Sequence, residues 1–508
     1  MFGREHQTGL QGVSSTSKRK LRREEAVVEG VKRWLGNPIS KLTLRLICSR
    51  DKHGENRLDI ALRRYTGEDV PCNIWDRFTS FLVSLTLEKG SSIFGYSTGD
   101  LKKSLRDEIV RRGIINVLEG IARYGVRRPF VSAAPFLVVW NYTTLCNLRC
   151  RHCYLRAGSK PAEDELTTEE AKKVVDDLAS AGVVAIAFSG GEPLLRKDIF
   201  EVAGYAKSKG FYVSLATNGA TIIPEVARKV KEVFDYVEIS LDGFEETHDQ
   251  FRGVRGAWRR TCEGIRNCVA EGIDTCVAVT ATRYNFEEIP KLIEFAEKEL
   301  GVHRVIVFNY VPVGRGKDMV EADISPQERQ KLLKYLYMRM MGSRMMCYST
   351  APQYSVVSLE LAGSPVVTHF ASSGTMRLQG RTKALADFIG GCGAGRLYCG
   401  LEPNGDIVPC VFMPIVIGNV RRDRLQDVWH SSELLWELRN RDEIKGCGDC
   451  EYRYICGGCR ARAYGYFGNV LAPDPACIHN LEYWHQLRHP TPTAKAPSYS
   501  GDAGRAAT

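Results

Sequence analysis

The stretch CNLRCRHCY places thiols at Cys146, Cys150 and Cys153, with three residues between the first pair and two between the second. Thiolates are soft ligands suited to zinc, copper(I) and iron–sulfur clusters. A structural zinc site closes with four ligands, and the sequence offers no fourth thiol beside these three. A cubane held by three cysteines with one iron left open fits better, because an open iron is a place to bind substrate or cofactor.

A second field of thiols lies near the C-terminus: Cys392, Cys399, Cys410, Cys447, Cys450, Cys456, Cys459 and Cys477. Two CxxC pairs within it are also a zinc signature, although the five residues between Cys450 and Cys456 are few for a zinc ribbon. The other six cysteines, Cys48, Cys72, Cys262, Cys268, Cys276 and Cys347, lack ligand spacing and read as small buried hydrophobes.

The elements that must position these thiols follow from periodicity. Residues 1–24 are polar and basic and read as a disordered tail, as do the Pro, Ala, Ser and Gly residues of 488–508. Residues 25–130 read as a helical N-terminal domain, with Ile109, Ile114, Val117, Leu118 and Ile121 at helical spacing. From 133 to 341 strand and helix alternate. FLVVWNYT, VVAIAFSGG, FYVSLATNG, YVEISLDG, DTCVAVTATRYN and RVIVFNYVPVG are six apolar strands, each followed by helix. Such a run predicts an α/β fold, a partial (β/α)6 TIM-like barrel around a parallel sheet. Residues 342–391 read as a bridge, in which His369 and Arg377 are candidates to line a cavity, and 392–479 as a small cysteine-rich C-terminal domain.

In a parallel barrel the site sits at the C-terminal ends of the strands. The cysteine loop ends the first strand, Gly190, Gly191, Glu192 and Pro193 the second, Thr217 and Asn218 the third, Ser240 and Asp242 the fourth, and Thr280 to Arg283 the fifth. Glycines permit close backbone approach.

Composition narrows the function classes. Of 508 residues, 44% are hydrophobic and 26% charged, enough for two or three domains with sizeable cores. Seventeen cysteines in tight clusters, no apolar leader in the first residues and no membrane-length apolar run predict a reducing, cytoplasmic setting. The net charge of +10 reads as a solvated face plus the basic run Lys18 to Arg23, and no RNA-binding or zinc-finger pattern points to nucleic acid.

CNLRCRHCY after the first strand, with SGGEP after the second, resembles the radical S-adenosylmethionine (SAM) superfamily. The resemblance implies a [4Fe–4S] cluster on Cys146, Cys150 and Cys153 whose fourth iron is chelated by SAM, and reductive cleavage of SAM to a 5′-deoxyadenosyl radical that takes hydrogen from substrate. It implies SAM contacts from Gly190, Gly191, Glu192 and Pro193, with Asn218, Ser240 and Asp242 toward the ribose and the methionine carboxylate. One departure is His152, where the family favours an aromatic residue.

The C-terminal field, CGAGRLYCGLEPNGDIVPC followed by CGDCEYRYICGGC and a later cysteine, resembles the SPASM extension of that superfamily. Two auxiliary [4Fe–4S] clusters are implied, one on Cys392, Cys399, Cys410 and Cys459 and one on Cys447, Cys450, Cys456 and Cys477, serving electron transfer. The extension looks most like the branch of alternative haem-biosynthesis enzymes and peptide maturases. The implied substrate is a tetrapyrrole side chain or a peptide, Arg460 and Arg462 suiting a polycarboxylate, and the implied electron donor is external, of the ferredoxin or flavodoxin kind. The alternative of a non-catalytic iron–sulfur carrier or scaffold sits poorly with GGEP, since a carrier needs no open iron.

Overall fold

The computed structural model describes residues 33, 37–93, 97–362 and 390–488. The tails and the bridge residues His369 and Arg377 lie outside the described residues.

One ten-stranded sheet organises the chain, in the order β10-β9-β8-β1-β2-β3-β4-β5-β6-β7. Strands β1 (Leu137–Thr143), β2 (Ala185–Gly190), β3 (Tyr212–Thr217), β4 (Tyr236–Ser240), β5 (Thr275–Ala281) and β6 (Arg304–Asn309) are the six expected from the apolar runs, and neighbours pair in parallel. Helices Thr168–Ala181, Ile199–Ser208, Pro224–Val233, Ala257–Ala270 and Ile289–Lys298 lie between them. The first of these begins in a capping box, Thr167 accepting from the Glu170 amide while Glu170 caps in return, which satisfies two otherwise orphaned donors.

The sheet is wider than the sequence predicted. β7 (Met346–Ser349), in the segment read as a bridge, pairs in parallel with β6 and is followed by the helix Gln353–Ala362. On the other side β8 (Tyr398–Leu401), from the cysteine-rich region, pairs in parallel with β1, and β9 (Asp406–Val408) and β10 (Gly418–Asn419) continue antiparallel. The weak apolar character of four-residue strands and their pairing with partners far away in sequence hid both edges from periodicity.

Alternation along the strands sorts the two faces of the sheet. Val138, Trp140, Phe188, Val213, Leu215, Val237, Ile239, Val277, Val279, Val305 and Val307 join the large core that includes Val174, Leu178, Val202, Ile265 and Ile293 of the surrounding helices. The intervening residues, including Asn141, Ser189, Glu238, Ser240, Cys276 and Thr280, face the barrel lumen, whose floor is packed by Tyr236, Cys276, Ala278 and Ile306.

Five helices between Pro38 and Tyr124 precede the barrel, with a core of their own around Leu58, Leu62, Val83 and Leu105. Asn116 joins them to the barrel, exchanging hydrogen bonds with Ala134. No helix among the described residues is long and apolar enough to cross a membrane.

Candidate active site at the barrel mouth

None of the seventeen cysteines is in a disulfide. Cys146, Cys150 and Cys153 come together on a bed of Leu148, Val254 and Ala257 at the mouth of the barrel. Burial pushes the Cys146 thiol up to about 12, and the neighbouring Glu192, Cys150 and Cys153 add to the rise. Cys150 is raised by burial too, opposed by Arg252. Two donors point at the sulfurs: the Leu148 amide at Cys146 (3.4 Å) and Arg252 Nη1 at Cys150 (3.7 Å). Three thiols with sulfur-directed donors on an apolar floor fit a cluster held by three cysteines, and thiols of this kind lose their protons when iron binds.

The backbone around the loop is clasped from three directions. From β2, the Gly191 amide donates to Thr143 O and the Glu192 amide to Leu145 O, both at 2.7 Å. A Cβ on Gly191 would meet Leu145 O at 2.2 Å, and one on Gly190, whose φ is +122°, would meet Thr143 O at 2.6 Å. These glycines thus let the chain's own cysteine loop come close. From the helix Glu245–Arg252, Phe251 and Arg252 carbonyls accept from Arg151 and Arg149 amides. From the loop after β6, Arg315 donates to the carbonyls of Cys150, Cys153 and Ala157.

The remaining expected SAM residues are found at the rim, several already engaged. Glu192 is buried with its carboxylate accepting from Thr217 Oγ1 (2.7 Å), the Asn218 amide (2.8 Å) and the Leu194 amide (3.2 Å), and burial raises its pKa. Pro193 starts the short turn Pro193–Leu195. Asn218 Nδ2 donates to Asn147 in the cysteine loop. Ser240 is half-buried on the lumen face. Asp242 is fully buried and ion-paired with Arg252 at 2.6 Å, while also accepting from the Thr280 amide. It therefore positions the guanidinium behind Cys150. His152, the departure from the family pattern, stacks on Phe251 with ring centroids 4.1 Å apart and planes 7° apart. Burial drives its pKa well below the usual value, so the ring is neutral, and its Nδ1 is buried without a hydrogen-bond partner. That orphaned atom at the mouth suits a heteroaromatic ligand such as the adenine of SAM.

Several lumen groups had no signal in the sequence. Asn141 donates to both Glu402 oxygens (3.1 and 3.2 Å) and accepts from Tyr154 OH (2.8 Å), which also contacts Ser189 Oγ. Glu402 is pushed up to about 7 by burial. Glu238, at mid-height on β4, is pushed up to about 7 by burial alone.

The second thiol field divides in two. Cys447, Cys450, Cys456 and Cys477 line one cavity with Gly457, Gly458 and Asn480. In the other, Tyr398 OH donates to Cys410 Sγ at 3.2 Å, and the phenol, its pKa raised chiefly by burial, lies near Cys410, Cys392 and Cys459. Cys399 departs from the expected set. It follows Tyr398 on the same strand and so points to the opposite face, and burial alone pushes its thiol up to about 12. Arg460 and Arg462 also depart from expectation. Both are buried, Arg460 donating to the carbonyls of Val470 and Ala472, Arg462 ion-paired with Asp323 and Asp474. CGGCRARAY carried no mark distinguishing an inward arginine from an outward one. Among the described residues, no three His, Cys, Asp or Glu side chains stand together as ligands of a single metal ion.

Comparison with known proteins agrees with this geometry. Residues 140–296 match the family described as the radical SAM superfamily, and 392–451 the one described as an iron-sulfur cluster-binding domain, SPASM. The chain is 37% identical to the AdoMet-dependent heme synthase of Methanosarcina barkeri (strain Fusaro / DSM 804), over 69% of this chain and 98% of that protein. It is 32% identical to the mycofactocin maturase MftC of Mycobacterium tuberculosis (strain CDC 1551 / Oshkosh), over 71% and 88%. The fold is similar to that of Streptococcus suis SuiB bound to S-adenosylmethionine, with a TM-score of 0.60 at 18% identity, over 83% of this chain and 93% of that one.

Proposed function

From a chain that belongs to the radical SAM superfamily and carries a C-terminal SPASM domain, we propose an enzyme that oxidises the side chain of a carboxylated tetrapyrrole. The observation that carries the substrate class is the likeness to a heme synthase along 98% of that protein's length. Cys146, Cys150 and Cys153 would hold the SAM-binding [4Fe–4S] cluster, and two auxiliary [4Fe–4S] clusters would sit in the SPASM domain. When bound, the first cluster and SAM supply a 5′-deoxyadenosyl radical by reductive cleavage, with the electron coming from an external ferredoxin or flavodoxin.

The chain's own residues prepare the space for that chemistry. Arg252, fixed by Asp242, donates to Cys150. Phe251, Tyr310 and Met319 pack a dry wall beside the cysteine loop, excluding the water that would quench a radical. Glu238 and Glu402 face the lumen as carboxyls poised near neutrality, so that in their protonated form they can donate to substrate carboxylates. This replaces the role that the sequence suggested for Arg460 and Arg462.

A peptide is the second reading, favoured by the 32% identity to a mycofactocin maturase. The test is anaerobic reconstitution, dithionite and SAM, with carboxylated iron tetrapyrroles in one series and small peptides in the other. 5′-Deoxyadenosine and methionine should form slowly without substrate and faster with a tetrapyrrole, whose mass should fall. Acceleration by peptides alone would replace the substrate class. Cleavage retained after Cys146, Cys150 and Cys153 are all changed to Ala would overturn the radical mechanism.

A further inference from the structure

The lumen face of β8 carries Tyr398 and Gly400, with Glu402 just beyond its end, and the opposite face carries Cys399 and Leu401. Register sets this division. Cys399 lies opposite Val138 and Leu401 opposite Trp140, while Tyr398 lies opposite Leu137, and side chains opposite one another in register share a face of the sheet. Tyr398, by contrast, reaches Cys410 with its hydroxyl at 3.2 Å. The turn after Cys392 wraps on the same ring, because a Cβ on Gly393 would meet Tyr398 Cδ1 at 3.0 Å. Cys459, at the start of the helix Arg460–Phe467, has its amide held by Asp474 at 2.8 Å and its thiol among the neighbours of that phenol.

Cys399 cannot be turned to the others by a local adjustment. β8 is paired with β1 on one side and with β9 on the other. In a strand bound on both sides, bringing one residue to the other face means a one-residue slip that flips every side chain. Tyr398 would leave Cys410, and Glu402 would leave Asn141.

We infer that the auxiliary cluster beside Tyr398 is held by three thiolates, Cys392, Cys410 and Cys459, and that its fourth iron takes an oxygen donor in place of a fourth cysteine. The donor comes either from Glu402, one residue beyond β8, held by Asn141 in the lumen and near Cys410, or from solvent and, in turnover, a substrate carboxylate. The inference rests on the SPASM assignment but not on the substrate class, since its test involves no substrate.

The full chain with Cys146, Cys150 and Cys153 changed to Ala lacks the SAM-binding cluster, so any open iron left belongs to the auxiliary pair. Reconstituted anaerobically, it should hold about eight irons, as two [4Fe–4S] clusters do. Adding Cys399→Ala, or Cys399→Val should the smaller side chain impair folding, should leave that content unchanged, whereas Cys410→Ala should halve it. Reduced and exposed to carbon-13 cyanide, the parent should show a carbon-13 hyperfine coupling at an auxiliary cluster if the iron is open to solvent. If Glu402 closes the site, the coupling should appear only after Glu402→Gln. Both results support three thiolates. A halved iron content in folded Cys399→Val, coupling that appears only when Cys399 is changed, or no coupling in either the parent or Glu402→Gln would overturn the inference.

Discussion

Arg252 Nη1 donates to Cys150 Sγ at 3.7 Å while its other nitrogens hold Asp242 at 2.6 Å. A fixed positive charge beside a cluster sulfur favours the reduced, more negative state. Hydrogen bonds to charged groups contribute about 1.5–3 kcal/mol, and a one-electron couple moves about 59 mV per factor of ten. Arg252→Gln should therefore lower the midpoint potential of the loop cluster by on the order of 60 mV and slow SAM cleavage. Redox titration followed by electron paramagnetic resonance reads this. An unchanged potential would mean that the guanidinium serves only Asp242.

Gly191 has no room for a side chain, since a Cβ would lie 2.2 Å from Leu145 O. The obstacle is backbone, and the backbone in question carries Cys146. Gly191→Ala should displace the cysteine loop and abolish SAM cleavage while leaving the auxiliary iron in place. Iron counts and 5′-deoxyadenosine formation measured on one preparation separate the two effects.

Glu238 gives a pH signature. Burial raises its folded pKa from 4.5 to about 7, so between those values the folded state binds the proton that the unfolded state has released. Stability falls as pH rises through this window, with a cost of roughly 3 kcal/mol once the group is ionised. Glu238→Gln should stabilise the cluster-free protein at about pH 8, and the gain should shrink toward about pH 4.5. Urea unfolding at several pH values tests it, and a gain independent of pH would remove ionisation as the cause.

Arg462 bridges two buried carboxylates, Asp323 at 2.7 Å and Asp474 at 3.2 Å, while Asp323 also takes Arg329. Removing one partner of a buried ion pair typically costs about 3–5 kcal/mol. Arg462→Met should destabilise the protein by about that much in chemical unfolding. Because Asp474 also accepts from the Cys459 amide, the variant should lose auxiliary iron before it loses SAM cleavage.

Regular alternation made the six barrel strands legible, and thiol spacing made the cysteine loop legible, since both signals are local. What the sequence hid is long-range. Arg252 and Cys150 are 102 residues apart in sequence, and Asn141 and Glu402 are 261 apart. Nothing local marks such partners. Cys399 was grouped with Cys392, Cys410 and Cys459 by the SPASM resemblance alone, and the face it takes depends on the pairing of β8 with β1, which is long-range too. Arg460 and Arg462 looked like substrate contacts because their charge suits a polycarboxylate, and the groups that hold them inside are distant in sequence or backbone: Asp323 and Asp474 for Arg462, the carbonyls of Val470 and Ala472 for Arg460.

The pairing of β8 with β1 spans some 260 residues of chain and has a consequence for biogenesis. During synthesis, the barrel leaves the ribosome with one margin of β1 bare until residues 398–401 follow. Exposed strand margins recruit other chains, so the nascent protein passes through an association-prone interval that ends only when the cysteine-rich region arrives. Barrel and SPASM domain are thus not exchangeable modules: a chain cut before residue 398 would keep that margin open for good.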